Sequence, residues 1–231
     1  MDRPRFVSAQ AEHPERGIVR RSLERLLGLA VLVGGAALKW GFVFVKFGTF
    51  FVSFAAYSFW FGSWHFGLGF ALLILVHELG HVFEARRQGV PVSLPTFIPF
   101  FGAFVTVQNA GLEPWRSALI SLAGPFVGGL GAAGVWAVGS AQNSTWLVVL
   151  ANIGFLLNAF NLLPIGFLDG GTVWRAVRET WHRPQIRFED GVPVQAYAPD
   201  RERAARLAML YVLLAAALVG GLLATRHSGM L

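Results

Sequence analysis

The chain has 231 residues, 55% of them hydrophobic and 14% charged, with 21 Phe, 8 Trp, 27 Gly and a net charge of +6. Soluble domains carry about 25% charged residues, so this composition excludes an ordinary water-soluble domain and predicts an integral membrane protein. With no cysteine, disulfides and thiolate ligands are excluded, and any metal must be held by histidine and carboxylate. The basic residues lie beside apolar runs, where they orient a chain in a bilayer, so nucleic acid is not expected as a partner.

Residues 1–40 read as a basic cytosolic N-terminus that leads into the apolar run 26–38. That run is too short for a span and basic at both ends, which suits a helix lying in the membrane interface. Arg20-Arg21 before it resembles an export signal, but such a signal needs a soluble body to follow, and the rest of the chain is the opposite. Five later runs, 41–62, 66–86, 118–139, 146–166 and 206–224, are long and apolar enough to cross. The turns at 63–65 and 140–145 hold no Lys or Arg, whereas basic residues gather at Arg86, Arg87, Arg116 and through 175–206. By the positive-inside rule the two turns face outward and the basic segments face the cytosol. The expected fold is therefore an all-α polytopic membrane protein with about five transmembrane helices and the N-terminal interfacial helix. Its parts are the N-terminus 1–40, a membrane core 41–175, a cytosolic loop 176–205 and a C-terminal helix 206–231.

Inside the second run lies His77-Glu78-Leu79-Gly80-His81. Each such ionisable group in hydrocarbon costs roughly 2.5–3.5 kcal/mol, which marks a functional site. Helix positions i and i+4 share a face, so both imidazoles reach one metal ion. Glu78, about one residue's rotation away, stays off the metal and near any water bound to it, as in zinc metalloproteases. A lone histidine would more often hydrogen-bond a neighbouring helix; the five-residue pattern favours the metal.

The segment 90–107 is apolar, yet Pro91, Pro95, Pro99 and Gly102 forbid a regular helix. Its β-branched and aromatic content predicts a short hairpin dipping back into the membrane surface. Such an edge could hold an extended substrate by strand addition, with Phe97 and Gly102 as its contact residues.

A zinc site with two histidines needs a third protein ligand and an open position for water. Asp169 is the best candidate, because the run 146–166 returns it to the cytosolic side where His77 and His81 lie. Pro164 and Gly166 interrupt the helix before it, which membranes tolerate only beside protein or a wet cavity. The alternative is that Asp169 caps the helix that follows. Asn158 and Asn161 are also costly in hydrocarbon and are expected to bind substrate or to bridge helices.

At this point the chain resembles the site-2 protease family of intramembrane metalloproteases. The resemblance rests on the HExxH helix, on Asn161-x-x-Pro164 with Leu168-Asp169-Gly170, and on Ala123-Gly124-Pro125 with Gly128, and covers about residues 41–175. It implies that His77, His81 and Asp169 ligate one Zn2+ per chain, that Glu78 is the general base, and that a re-entrant hairpin occupies 90–107. Relatives of this kind often carry a PDZ or CBS domain, for which the chain has no room, so a compact form is expected. The function implied is zinc endopeptidase action on a transmembrane or membrane-proximal segment of another membrane protein, in a bacterial-type cell membrane with the active site towards the cytosol. The alternative is a catalytically silent protein that binds transmembrane helices, against which Glu78 argues. Substrate identity, regulating partner and oligomeric state are not written in the sequence.

Overall fold

The computed structural model describes residues 14–100, 102–107, 112–182, 185–190, 192–197 and 199–227. The basic residues 1–13 of the expected N-terminal part lie outside the described residues. Among these described residues six helices and two hairpins follow in chain order: α1 (Pro14–Phe61), α2 (Trp64–Arg87), β1 (Thr96–Ile98), β2 (Gly102–Phe104), α3 (Pro114–Ala141), α4 (Thr145–Asn161), α5 (Asp169–His182), β3 (Gln185–Glu189), β4 (Val192–Tyr197) and α6 (Arg201–His227). The chain divides into two compact units, Met1–Val45 and Lys46–Leu231.

In the first unit the described residues are helical, and Val31, Leu32, Val33 and Leu38 are exposed. The sequence led us to expect a separate interfacial helix at residues 26–38; they belong instead to α1, which continues to Phe61. No proline lies between Pro14 and Phe61, and Gly34, Gly35 and Gly41 each cost only about 1 kcal/mol, too little to end a helix.

The second unit is built on α2, α3, α4 and α6. Among the described residues, four helical stretches are long and apolar enough to cross a membrane: Val43–Phe61, Trp64–Arg87, Pro114–Ala141 and Arg201–His227. The fifth expected span, α4, is a shorter apolar helix, because Pro164 and Gly166 keep the chain from continuing it. One buried cluster joins α3, α4, α5 and α6 through Ala118, Leu122, Phe155, Val173, Leu207 and Leu218. A second joins α1, α2 and the first hairpin through Tyr57, Ala71, Ile74 and Phe97.

Local chemistry sets the ends of α2. Ser63 caps its start, the hydroxyl accepting from Phe66 N at 3.4 Å. At its end Gly89 takes φ +71°, Gly89 N donates to Arg86 O and Val90 N to Ala85 O, both at 2.9 Å. This is a Schellman closure, and Val90 packs with Ala85 and Ile120 as its hydrophobic seal. Gln88 also locks to the first turn of α3: Arg116 donates through Nη2 to Gln88 O at 2.6 Å and through Nε to Gln88 Oε1 at 3.1 Å. The guanidinium of Arg203, at the start of α6, lies 4.8 Å from the Trp115 ring centroid. The end of α2 and the starts of α3 and α6 therefore share one end of the unit, and bring Arg86, Arg87, Arg116, Arg201, Arg203 and Arg206 to it.

The expected hairpin is present, with Phe97 opposite Ala103 and Ile98 opposite Gly102, and a bridge between Val92 and Val107 extends it. It hangs on α1, since Phe97 N donates to Thr49 Oγ1 at 3.2 Å and Lys46 Nζ bonds Thr96 Oγ1. The region 176–205, expected as a loop, carries a second antiparallel hairpin, β3–β4, with an irregularity between Arg187 and Phe188.

Candidate metal centre

The three predicted ligands converge from two elements far apart in sequence. His77 and His81, one turn apart on α2, point their Nε2 atoms at the same spot, 3.2 Å from each other. Asp169 Oδ2 comes within 3.3 Å of His77 Nε2 and 3.4 Å of His81 Nε2. Both histidines are buried, and the aspartate nearly so. These spacings test the fit of a metal: four ligands at about 2.0–2.1 Å in a tetrahedron stand about 3.3–3.4 Å apart. Two imidazole lone pairs and a carboxylate at such distances repel one another unless a cation or proton lies between them. The donor set of two nitrogens and one oxygen suits zinc.

The remaining ring nitrogens are tied back. His81 Nδ1 donates to Ile120 O, and His77 Nδ1 to Asn158 Oδ1, both at 2.8 Å. Ring N–H groups bonded in this way leave Nε2 free as a ligand.

Glycines let the elements come this close. A Cβ on Gly80 would stand 2.4 Å from Ala123 O, so α2 lies against the backbone of α3. Gly124 and Gly128, one turn apart on α3, leave room for the His81 ring and the Asn158 amide. Pro125, buried between them, lacks the N–H for a helical bond to Ser121. Asp169 opens α5, whose first turn seats on the preceding loop: a Cβ on Gly170 or Gly171 would stand 2.0 Å from Leu162 O or Ile165 O. Asp169 is the first residue of α5, and its Oδ2 faces the Nε2 atoms of both histidines.

A cavity of about 1110 Å³ opens onto this cluster. Glu78 lines it beside His77, His81 and Asp169, is buried, and makes no hydrogen bond to another described residue. Asn161 and Gly102 line it as well, and the run 102–107 forms one wall. Two of the residues expected to meet substrate lie elsewhere. Phe97 is buried in the cluster between hairpin and α1, its ring 5.1 Å from that of Phe50, and does not line the cavity. Asn158 is fully buried, bonded to His77, and does not line the cavity. Sequence reasoning missed Ile120, whose backbone oxygen holds His81; a backbone acceptor leaves no trace in residue type.

The same segments carry the likeness to known proteins. The family model for peptidase family M50 matches residues 65–144 and 139–198. The chain is similar to Rip3 of Mycobacterium tuberculosis, named as a zinc metalloprotease, with 33% identity over 168 residues, covering 68% of this chain and 41% of Rip3. It is similar to sll0528 of Synechocystis, named likewise, with 32% identity over 120 residues, 48% of this chain and 31% of that one. Chloroplastic EGY1 of Arabidopsis thaliana, also named as a zinc metalloprotease, is 31% identical over 146 residues, 43% of this chain and 27% of EGY1. The chain spans less than half the length of each of these relatives. No solved structure matches it.

Proposed function

The chain belongs to peptidase family M50, and from that membership we propose that it is an intramembrane zinc metalloendopeptidase, hydrolysing a peptide bond in or near a transmembrane segment of another membrane protein. The observation that carries this reading is the spacing of His77 Nε2, His81 Nε2 and Asp169 Oδ2, all within 3.2–3.4 Å of one another, at the wall of a cavity that also holds Glu78.

In this reading the three side chains hold one Zn2+. When bound, the ion polarises the scissile carbonyl and lowers the pKa of a coordinated water from about 16 towards 7. Glu78 takes a proton from the attacking water and returns it to the leaving amine. Its freedom from other hydrogen bonds supports that role, because a carboxylate already bonded to neighbours would accept the proton less readily.

Substrate enters as an extended segment, since a helix hides the peptide bond that must be reached. Among the described residues strand β2 is paired with β1 alone, and residues 102–107 line the cavity, so its other edge supports strand addition beside the metal centre. Gly102 and Asn161, both at the cavity wall, are the contacts we assign to substrate. The site lies six residues from the end of α2, or about 9 Å at 1.5 Å per residue, near the end where the arginines gather. The positive-inside rule makes that end cytosolic.

The test is cleavage of a single-span membrane protein co-reconstituted in vesicles with the intact chain or with Glu78→Gln. Cleavage by the first and not the second is expected; equal cleavage by both would remove the assigned mechanism, and none by either across a broad substrate panel would favour a protein that grips membrane helices without cutting them.

A further inference from the structure

The two histidines of the centre are anchored by different kinds of acceptor. His81 gives its Nδ1 proton to a backbone oxygen, Ile120 O, which can only accept and cannot be replaced by substitution. His77 gives its proton to a side-chain amide, Asn158 Oδ1, and an amide presents a donor as readily as an acceptor. If the amide were reversed, its NH2 would face His77 Nδ1, the ring would carry its proton on Nε2, and that nitrogen could not ligate.

What prevents reversal is one turn away on the same helix. Asn158 Nδ2 donates to Gly154 O at 2.8 Å. A carbonyl oxygen only accepts, so the NH2 must face Gly154 and the Oδ1 must face His77. Asn158 is fully buried, so water cannot take over either bond. The space for this arrangement comes from α3, where a Cβ on Gly128 would stand 2.2 Å from Asn158 Oδ1.

We infer that Asn158 is a positioning residue for the metal centre: Gly154 O fixes its amide, the amide fixes the proton of His77 on Nδ1, and His77 Nε2 is thereby held as a ligand. The inference rests on the reading that His77, His81 and Asp169 hold zinc, and it moves Asn158 from substrate contact to ligand orientation.

The experiment measures zinc affinity of the full chain in detergent by competition with a chelator, with no substrate present. Asn158→Leu keeps the size and removes the acceptor, and should weaken zinc about 10–100-fold. Asn158→Asp keeps an oxygen facing Nδ1 and should bind zinc within about threefold of the intact chain, well above the leucine variant. If Asn158 merely filled space, leucine would be the milder change and the order of the two variants would reverse. Gly128→Ala leaves Asn158 and His77 in the chain but pushes on the amide, and should also weaken zinc about tenfold; this variant decides the matter if the leucine protein does not fold. Zinc bound as tightly by Asn158→Leu or, failing that, by Gly128→Ala as by the intact chain overturns the role of Asn158 alone. An intact chain that takes up no zinc overturns the metal centre itself.

Discussion

Gly124 lies directly under the ring of His81: a Cβ built at that glycine would stand 2.2 Å from His81 Nε2, the atom that faces Asp169. The ring keeps its position because α3 has no side chain there.

The first prediction follows from that contact. Gly124→Ala should displace the His81 ring and abolish zinc binding at stoichiometric metal, with a loss of about 1–3 kcal/mol in stability from overpacking. Metal analysis and thermal unfolding check the two effects; full zinc occupancy in the variant would mean that the ring swings aside and is no ligand.

Asp169→Ala should lose zinc while the chain still folds, since two histidines alone make a weak site. Zinc at 100 times its dissociation constant should stabilise the intact protein by about 2.7 kcal/mol, visible as a rise in unfolding temperature that a chelator reverses. The alanine variant should show no such rise, and an equal rise in both proteins would strike Asp169 from the site.

Glu78→Gln should leave zinc content and substrate affinity unchanged and lower turnover by about 10²–10⁴-fold, the usual loss for a general base. It should also hold an uncut substrate through detergent purification. Loss of zinc in this variant would place Glu78 on the metal and contradict the role given to it.

Topology is testable because the chain has no cysteine. In cells, Gln142→Cys in the turn between α3 and α4 should react with an impermeant thiol reagent from outside, and Glu202→Cys at the start of α6 should not. The opposite labelling would invert the chain and turn the metal centre towards the other compartment.

The candidate ligand cluster was legible because coordination chemistry admits few residue types and a helix puts positions four apart on one face; the pairing of His77 with His81 needs no tertiary information. Asp169 was legible through the broken helix before it. Asn158 and Asn161 were not separable, since three residues apart on α4 they differ only in what the neighbouring helices place opposite them: His77 for one, the cavity for the other. Phe97 packs into the cluster between hairpin and α1 while Ala103 opposite it lines the cavity, a division set by tertiary packing that residue type does not carry. The β3–β4 hairpin was readable from alternation around Asp190-Gly191, a strong hairpin signal. Its polar composition made it look like a loop.

The seat of α5 on the preceding loop has a consequence for how much sequence change the centre can absorb. Gly170 and Gly171 touch backbone oxygens of Leu162 and Ile165, not side chains. Main chain resting on main chain has no rotamers to shuffle, so the height of Asp169 above the two histidines is insensitive to what the surrounding side chains are. Replacements on the exposed face of α5, at Trp174, Arg175 or Arg178, can accumulate without moving Asp169 relative to His77 and His81. A single methyl at either glycine cannot.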